Sequence, residues 1–182
     1  MDKRREDVLE APYFHVVFTV PQELNSLIYS NQQLLYDALY HCVSETINEL
    51  TADTKHLGAK VGYICVLHTW GSEMNYHPHI HVILLGGGLT AQNQWRDKGE
   101  EFFLPVRVMS KLFRGKYLDI LKMLWNENKL QFHGRSEQKG IKSHLQQFFF
   151  RRPKIRRQTY NLQRPGVGFS GFPNLLAGLV TT

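Results

Sequence analysis

The sequence predicts an α+β protein in which antiparallel strands form a sheet and helices pack on it. Three segments rich in aromatic and β-branched residues are typical of strands. Two longer segments repeat apolar residues at three- and four-residue steps, which is typical of helices. With 182 residues, of which 42% are hydrophobic, the chain is long enough for one domain with a hydrophobic core.

The first strand is predicted at Tyr13 to Val20, where YFHVVFTV ends at Pro21. A long helix follows, with apolar residues from Leu24 to Leu50, and Pro21 suits its first turn because the missing N–H costs nothing there. KVGYICVLHTW (60–70) and HPHIHVILL (77–85) predict the next two strands. The polar GSEMNY between them indicates an antiparallel hairpin.

The glycines at 86–88 are predicted to end the third strand, at a sharp exit or where another backbone comes close. No Lys-Ser/Thr follows them, so they do not form a phosphate-binding P-loop. Residues 102–108 are predicted to be extended and a second helix to follow over 109–125. LQFHG at 130–134 indicates a short strand, and 143–150 a short helix.

The net charge of +6 is unevenly distributed, because after residue 134 Lys and Arg are frequent and Glu137 is the only acid. This surplus is compatible with a nucleic-acid partner or with a solvated basic tail. We expect residues 1–134 to form the core and residues 135–182, which lack a sustained period, to form a basic, divergent and weakly ordered tail.

The expected compartment is the cytoplasm. The first ten residues are mostly charged, which is unlike a secretory signal, and no apolar run approaches the roughly 20 residues of a membrane helix, so no membrane partner is predicted. Cys42 and Cys65 lie inside apolar patterns and are interpreted as reduced, buried thiols.

A histidine cluster on the third strand predicts a metal site. Residues two apart on a strand point to the same face, so His79 and His81 would present two imidazoles together. The opposite, core-facing side would carry Ile80, Val82 and Leu84. H-x-H triplets also arise by chance in a chain with nine histidines, so the strand context carries the prediction.

A metal site needs a third ligand, and the hairpin suggests His68. This residue lies on the preceding strand, and antiparallel pairing would place it beside His79. Glu73 and His77 in the turn are competitors, and a half-buried structural role for His68 is the alternative. No chemistry is assigned to the scattered histidines, which are His15, His41, His56, His133 and His144.

Three segments resemble a known family in collinear order from Val8 to Gly134. LHTWGSEMNYHPHIHVILLGGGL (67–89) resembles the metal motif of the two-tyrosine HUH transposases of rolling-circle insertion sequences, where U is a bulky apolar residue. FFLPVRVMSKLFRGKYLDIL (102–121) and YFHVVFTVPQEL (13–24) are similar to the segments that follow and precede it.

This resemblance implies a ferredoxin-like antiparallel sheet with helices on one face, as in HUH endonucleases. It implies a transposase that nicks and joins single-stranded DNA through a phosphotyrosine intermediate, in DNA transposition and recombination of a mobile element. The implied cofactor is Mg²⁺ or Mn²⁺, and imidazole ligands favour Mn²⁺. The implied partner is single-stranded DNA.

The chain departs from the family pattern in two respects. Family members carry a cysteine-rich zinc-binding region before the first strand and a catalytic segment similar to Tyr…ArgTyrThrHis, and neither pattern is found. We therefore expect a fragment in which nicking is impaired. Tyr160 is the only tyrosine of this sequence after Tyr117, and it is the candidate nucleophile. Tyr117 instead fits the apolar face of its helix.

Candidate DNA contacts lie near the second helix and the hairpin. Arg107, Lys111 and Arg114 could contact phosphates, or they form a solvated helix face. Trp70 and Tyr76 could stack on bases, or they pack in the core.

Two other functions fit the sequence. One is a metal-dependent hydrolase with a His-rich site and an activated water, although neither HxHxDH nor HExxH is found. The other is a non-catalytic DNA-binding remnant of a decayed element. The sequence makes no prediction of the oligomeric state.

Overall fold

The computed structural model describes residues 9, 11–71, 75–99, 104–132, 140 and 143, and the backbone of 156–159. These ranges contain helices and strands whose bounds are described, besides a 3-10 turn and the single helical residues Gly140 and Ser143. In chain order the helices and strands are β1 (Tyr13–Thr19), α1 (Asn25–Ser30), α2 (Gln32–Ala52), β2 (Lys60–Trp70), β3 (Tyr76–Leu89), β4 (Trp95–Asp97), α3 (Val106–Asn126) and β5 (Arg156–Thr159).

The strands form one sheet in the order β2-β3-β1-β5, and the short β4 pairs with the end of β3. Every pair is antiparallel. Apart from β4, the chain runs strand, helix, strand, strand, helix, strand, and the two central strands are β1 and β3. This is the ferredoxin-like arrangement that was predicted, and the β2–β3 hairpin is confirmed.

The helices cover one face of the sheet, as predicted. The side chains of Phe18, Ile80 and Val82 are completely buried, and they belong to the same hydrophobic core as the apolar sides of the helices. The rings of Phe18 and Phe113 meet edge to face at 5.1 Å, which joins β1 to α3. The alternate residues of β1 and β3 therefore project from the other face, which we call the open face because α1, α2 and α3 do not pack on it.

The first long helix is broken, contrary to the prediction of one helix from Leu24 to Leu50. A 3-10 turn at Gln22–Leu24 leads into α1, and the helix is interrupted at Asn31, where φ is −135° and ψ is 40°. The Asn31 side-chain amide donates to the carbonyl oxygens of Leu27 and Gln131, and its oxygen accepts from the Gln131 N–H. The break therefore ties the helix to the segment after α3.

The second helix begins earlier than predicted. Val106 to Val108 are helical rather than extended, because Pro105 precedes the first turn and accepts hydrogen bonds from Val108 and Met109. A proline restricts the residue before it rather than those after it, and Pro105 itself, with φ −67° and ψ 111°, is the last extended residue before α3. Residues 130–132 form no strand, and the rest of 130–134 and all of 143–150 except Ser143 lie outside the described residues.

The three glycines lie inside β3, which runs on to Leu89, so the predicted strand end at 85 is wrong. Close backbone approach explains them, as one of the two alternatives proposed. The Gly86 N–H donates to the Pro12 carbonyl at 2.7 Å, and a Cβ on Gly88 would overlap the Lys60 carbonyl oxygen. A Cβ on Gly87 would overlap the Trp95 ring.

Strand β5 lies beyond residue 134, in the segment that we expected to be a tail. It runs from Arg156, the register partner of Val17, to Thr159, the partner of Phe14. The fourth strand of the ferredoxin-like sheet thus comes from the basic segment, and the division at residue 134 stays a prediction. Among the helices of the described ranges, none combines the length and the apolar character needed to cross a bilayer.

Candidate metal centre

Three histidines meet on the open face of the β2–β3 hairpin. His68 is the direct register partner of His79, and His81 follows two residues later opposite Val66. One ring nitrogen from each of the three histidines lies within 4.8 Å of the others, and each side chain is half-buried. The alternation predicted for β3 is observed, because Ile80 and its alternate neighbours are in the core.

The rings are packed closely enough to share one ion. The centroids of His68 and His81 are 4.3 Å apart, those of His79 and His81 4.9 Å, and those of His68 and His79 5.4 Å. No two of these rings are parallel, with interplanar angles of 42°, 54° and 73°. Together with one ring nitrogen from each residue within 4.8 Å of the others, this packing allows the three histidines to share one ion.

Two of the rings are held by hydrogen bonds through Nδ1. His79 Nδ1 lies 2.7 Å from the His77 carbonyl oxygen, so it carries the proton and donates. His81 Nδ1 lies 2.7 Å from Nε2 of His15 on β1. In both residues Nε2 is the nitrogen left for a ligand, which is the usual division of roles in metal-binding histidines.

The environment favours neutral imidazoles, the form that binds metals. Burial, followed by the nearby His68, His15 and His79, lowers the pKa of His81 to about 3. Burial and then His79 lower the pKa of His68. Lone pairs on these rings are therefore available at neutral pH, and the donor chemistry of the cluster fits a divalent metal ion.

Of the two alternative metal ligands predicted in the turn, His77 can be placed relative to the cluster and Glu73 cannot. The His77 ring lies 5.6 Å from that of His79, and the cluster of mutually close donor atoms does not include it. Burial and His79 lower its pKa as well. Glu73 lies outside the described residues.

The three candidate DNA-binding residues of α3 lie in the helix layer, away from the open face of the sheet. Arg107 and Lys111 are exposed and Arg114 is half-buried, on a helix whose apolar side packs against the helix-covered face of the sheet. The structure therefore does not bring them together with the histidines. Tyr160 lies outside the described residues, and Tyr117 is buried, as expected.

The two aromatic residues proposed to stack on bases, Trp70 and Tyr76, lie in different places. Trp70 stacks on His68, with the ring centroids 5.3 Å apart and the planes inclined by 8°, and it is 52% exposed. The Tyr76 hydroxyl instead forms a hydrogen bond with the Tyr36 hydroxyl of α2 at 2.8 Å, so Tyr76 belongs to the helix side. Of the two, Trp70 alone is placed beside the cluster.

Sequence reasoning missed His15. It is 7% exposed, contacts His81 by a hydrogen bond, and stacks on that ring at a centroid distance of 4.9 Å. Its partner in the register is Ile83, two residues from His81 on the same face. Because side chains alternate along a strand, His15 points away from the face that carries the core residue Phe14. This alternation in YFHVVFTV is the signal that could have found it.

The chain is similar to two curated transposases. It is 44% identical over 133 residues to "Putative transposase y4qJ" of Sinorhizobium fredii, a match that covers 72% of this chain and 33% of the relative. It is 38% identical over 88 residues to the transposase for insertion sequence element IS801 of Pseudomonas savastanoi pv. phaseolicola, covering 48% of this chain and 20% of the relative. The chain thus spans a third or less of the length of these relatives.

Among solved structures, the fold is similar to that of the conjugative relaxase TrwC. A copper-bound complex of TrwC with oriT DNA has a TM-score of 0.51 and 18% identity, and the match covers 68% of this chain and 47% of that one. A complex with mutant oriT DNA has the same TM-score and identity, with coverage of 68% and 49%. At this identity the likeness concerns the fold.

The family model that matches covers residues 62–161, just over half of the chain. The match includes the β2–β3 hairpin with all three clustered histidines, helix α3 and strand β5. The chain therefore belongs to the transposase family Y2_Tnp, described as "Putative transposase".

Proposed function

We propose that this chain nicks and joins single-stranded DNA in transposition, at a metal centre formed by His68, His79 and His81. The observation that carries the proposal is the convergence of the three imidazole donors, within 4.8 Å of one another, on the open face of the sheet. The match to the transposase family and the two transposase relatives support it.

The cofactor we propose is Mg²⁺ or Mn²⁺. When bound, a divalent ion polarises the scissile phosphate and offsets its charge in the transition state. Three imidazoles favour Mn²⁺ over Mg²⁺, because Mg²⁺ prefers oxygen ligands. The chain itself contributes the placement of the ion, through two adjacent strands whose pairing sets the distances between the rings.

The nucleophile we propose is a tyrosine hydroxyl. Its oxygen forms a bond to phosphorus, the bond from phosphorus to the sugar oxygen breaks, and the phenolic proton is lost while the departing sugar oxygen gains one. The ester energy stays in the phosphotyrosine, so the reverse attack rejoins the strand without ATP. Tyr160 is the candidate in this chain, although β5 runs from Arg156 toward Thr159 and so away from the histidine end of β1.

The DNA partner we propose is single-stranded. Trp70 stands beside the cluster with half of its surface exposed, so its ring is available to stack on a base next to the phosphate. The structures of TrwC similar to this chain were solved with oriT DNA, which supports a nucleic-acid ligand for the fold.

Arg107, Lys111 and Arg114 are proposed as phosphate contacts of a second DNA segment. They lie on the helix layer, so they would bind DNA that passes around the sheet rather than the strand at the metal. Replacing Arg107 and Lys111 together by Gln should reduce the slope of log affinity against log salt by about 1.4, at roughly 0.7 for each phosphate contact on single strands. An unchanged slope would assign both residues to a solvated helix face.

Nicking is tested with circular single-stranded phage DNA, which offers many sequence contexts at once. The chain and the variants His79→Gln and Tyr160→Phe are each incubated with this DNA and Mn²⁺, and linear DNA and denaturant-resistant protein–DNA adducts are measured. We expect linear DNA and adduct in low yield with the wild type, because nicking is expected to be impaired, and neither product with His79→Gln. Duplex circles of the same sequence serve as the control and should stay intact.

The outcomes separate the functions. If Tyr160→Phe still cleaves the DNA and still forms the protein–DNA adduct, the nucleophile is a residue other than Tyr160. Cleavage without any adduct would favour hydrolysis by an activated water, as in a metal-dependent hydrolase. Salt-sensitive DNA binding that is unaffected by His79→Gln, without cleavage, would favour a non-catalytic DNA-binding protein.

A further inference from the structure

A fourth histidine supports the cluster from the neighbouring strand. His15 Nε2 and His81 Nδ1 are 2.7 Å apart, and the two rings lie nearly parallel, inclined by 16°. His15 is 7% exposed, so the hydrogen bond has little competition from water. The contact joins β1 to β3 across the centre of the sheet.

The direction of this hydrogen bond decides whether His81 can bind a metal. If His15 donates, the Nδ1 lone pair of the neutral His81 is taken and its proton is on Nε2, so neither ring nitrogen has a free lone pair to offer a metal. If His81 donates through Nδ1–H, its Nε2 lone pair is free for a metal and the neutral His15 carries its proton on Nδ1. A metal-binding His81 therefore requires His15 as the acceptor.

We propose that His15 is a positioning residue, whose Nε2 accepts the Nδ1–H of His81 and so holds His81 in the tautomer and orientation that bind the metal. The inference rests on the proposed metal centre. His79 is held in the same way by the His77 carbonyl oxygen, so each of these two ligands has its own acceptor at Nδ1. Hydrogen bonds of this kind typically change metal affinity by about 10- to 100-fold.

The placement of His15 follows from the sheet register. His15 pairs with Ile83 and Val17 pairs with His81, so the His15 ring reaches the His81 ring diagonally on the open face. A buried imidazole stacked on a neighbour could also serve packing alone. The two roles differ in one respect, because packing needs the ring whereas positioning needs the acceptor nitrogen.

The test compares His15→Phe, which keeps a ring and removes the nitrogen, with His15→Gln, whose side-chain oxygen can still accept. Mn²⁺ affinity is measured by calorimetry on the full chain, and the His81 tautomer is read from long-range ¹H–¹⁵N spectra of the metal-free protein. We expect Nδ1–H on His81 in the wild type, a loss of that preference in His15→Phe, and affinity weaker by about 10- to 100-fold in His15→Phe. His15→Gln should recover most of the affinity.

The control is His41→Gln, since His41 is exposed on α2 and should leave both readouts unchanged. A proton on Nε2 of His81 in the metal-free wild type would overturn the inference, and so would equal affinities of the wild type and a folded His15→Phe. A wild type that binds no Mn²⁺ but has Nδ1–H on His81 would refute the metal centre alone. If His15→Phe fails to fold, the wild-type tautomer and His15→Gln still decide the question.

Discussion

His68 and His79 are direct partners in the antiparallel ladder between β2 and β3, with ring centroids 5.4 Å apart. Their separation is set by the backbone hydrogen bonds of the two strands and does not depend on the turn that joins them. The cluster should therefore be formed before a metal binds, and single side chains can be removed without rearranging the sheet.

Removing one ligand should abolish tight metal binding. We expect His68→Ala, His79→Ala and His81→Ala each to weaken Mn²⁺ affinity by more than the 10- to 100-fold that losing a supporting hydrogen bond costs, because a metal–nitrogen bond itself is lost. Titration calorimetry measures the effect, with His41→Gln as the control. Wild-type affinity in all three variants would show that the ion binds elsewhere.

The exposed ring of Trp70 should contribute to DNA affinity. Trp70→Ala should weaken binding of a fluorescein-labelled single-stranded oligonucleotide by about 5- to 150-fold, equivalent to about 1–3 kcal/mol for one stacked base. The readout is fluorescence anisotropy at fixed salt. Trp95→Ala is the matched control, because Trp95 is 46% exposed but pairs with the far end of β3; equal losses in both variants would contradict a specific contact.

The Asn31 side chain should be important for stability. Its amide group makes three hydrogen bonds, one to the Leu27 carbonyl oxygen of α1 and two to the Gln131 backbone after α3. Asn31→Ala should lower the free energy of unfolding by about 2–3 kcal/mol, because it removes one buried and two part-buried hydrogen bonds to backbone groups. Urea unfolding measures this, and the exposed Gln33→Ala should change stability by less than about 0.5 kcal/mol.

Two glycines should respond to alanine in opposite directions. Gly88→Ala should destabilise the fold, because the new Cβ overlaps the Lys60 carbonyl oxygen on the paired strand. Gly115→Ala should stabilise it by about 0.5–1 kcal/mol, because Gly115 lies within α3 with no atom within 4 Å of the added Cβ. Thermal unfolding of both variants tests the pair, and a stable Gly88→Ala would contradict the close approach.

Alkaline pH should destabilise the protein through Cys42. Burial raises the pKa of the Cys42 thiol from 9 to about 12, so between these values the unfolded chain loses a proton that the folded chain keeps. The contribution is fully present below pH 9 and falls by about 1 kcal/mol for each pH unit above it. Urea unfolding at pH 8 and pH 10 measures the loss, which Cys42→Ala should reduce; identical losses would show that other groups cause it.

The local features of the fold could be predicted from the sequence. Lys60 to Trp70 was predicted with its observed bounds, and the β2–β3 hairpin brought His68 opposite His79, as the spacing indicated. These features depend on period-two alternation and on a short connection, which are properties of neighbouring residues. The Ile80, Val82 and Leu84 face follows from the same alternation.

What was missed depends on contacts distant in sequence. His15 joins the cluster only because β1 pairs with β3, 66 residues away, and the helix break at Asn31 depends on Gln131. Strand β5 has a cationic sequence without an apolar alternation, which is compatible with an edge strand and gives no local signal of one.

The glycines near the end of β3 affect the chemistry at its beginning. Since side chains alternate along a strand, moving β3 by one residue against β2 would turn His79 and His81 toward the helices and Ile80 toward the open face. The contact of Gly88 with the Lys60 backbone opposes the shift that would bring Leu89 to this place, because a Cβ there would overlap the Lys60 carbonyl oxygen. A substitution at Gly88, which is distant in the strand from His79 and His81, can thus weaken metal binding although the residue does not contact the ion.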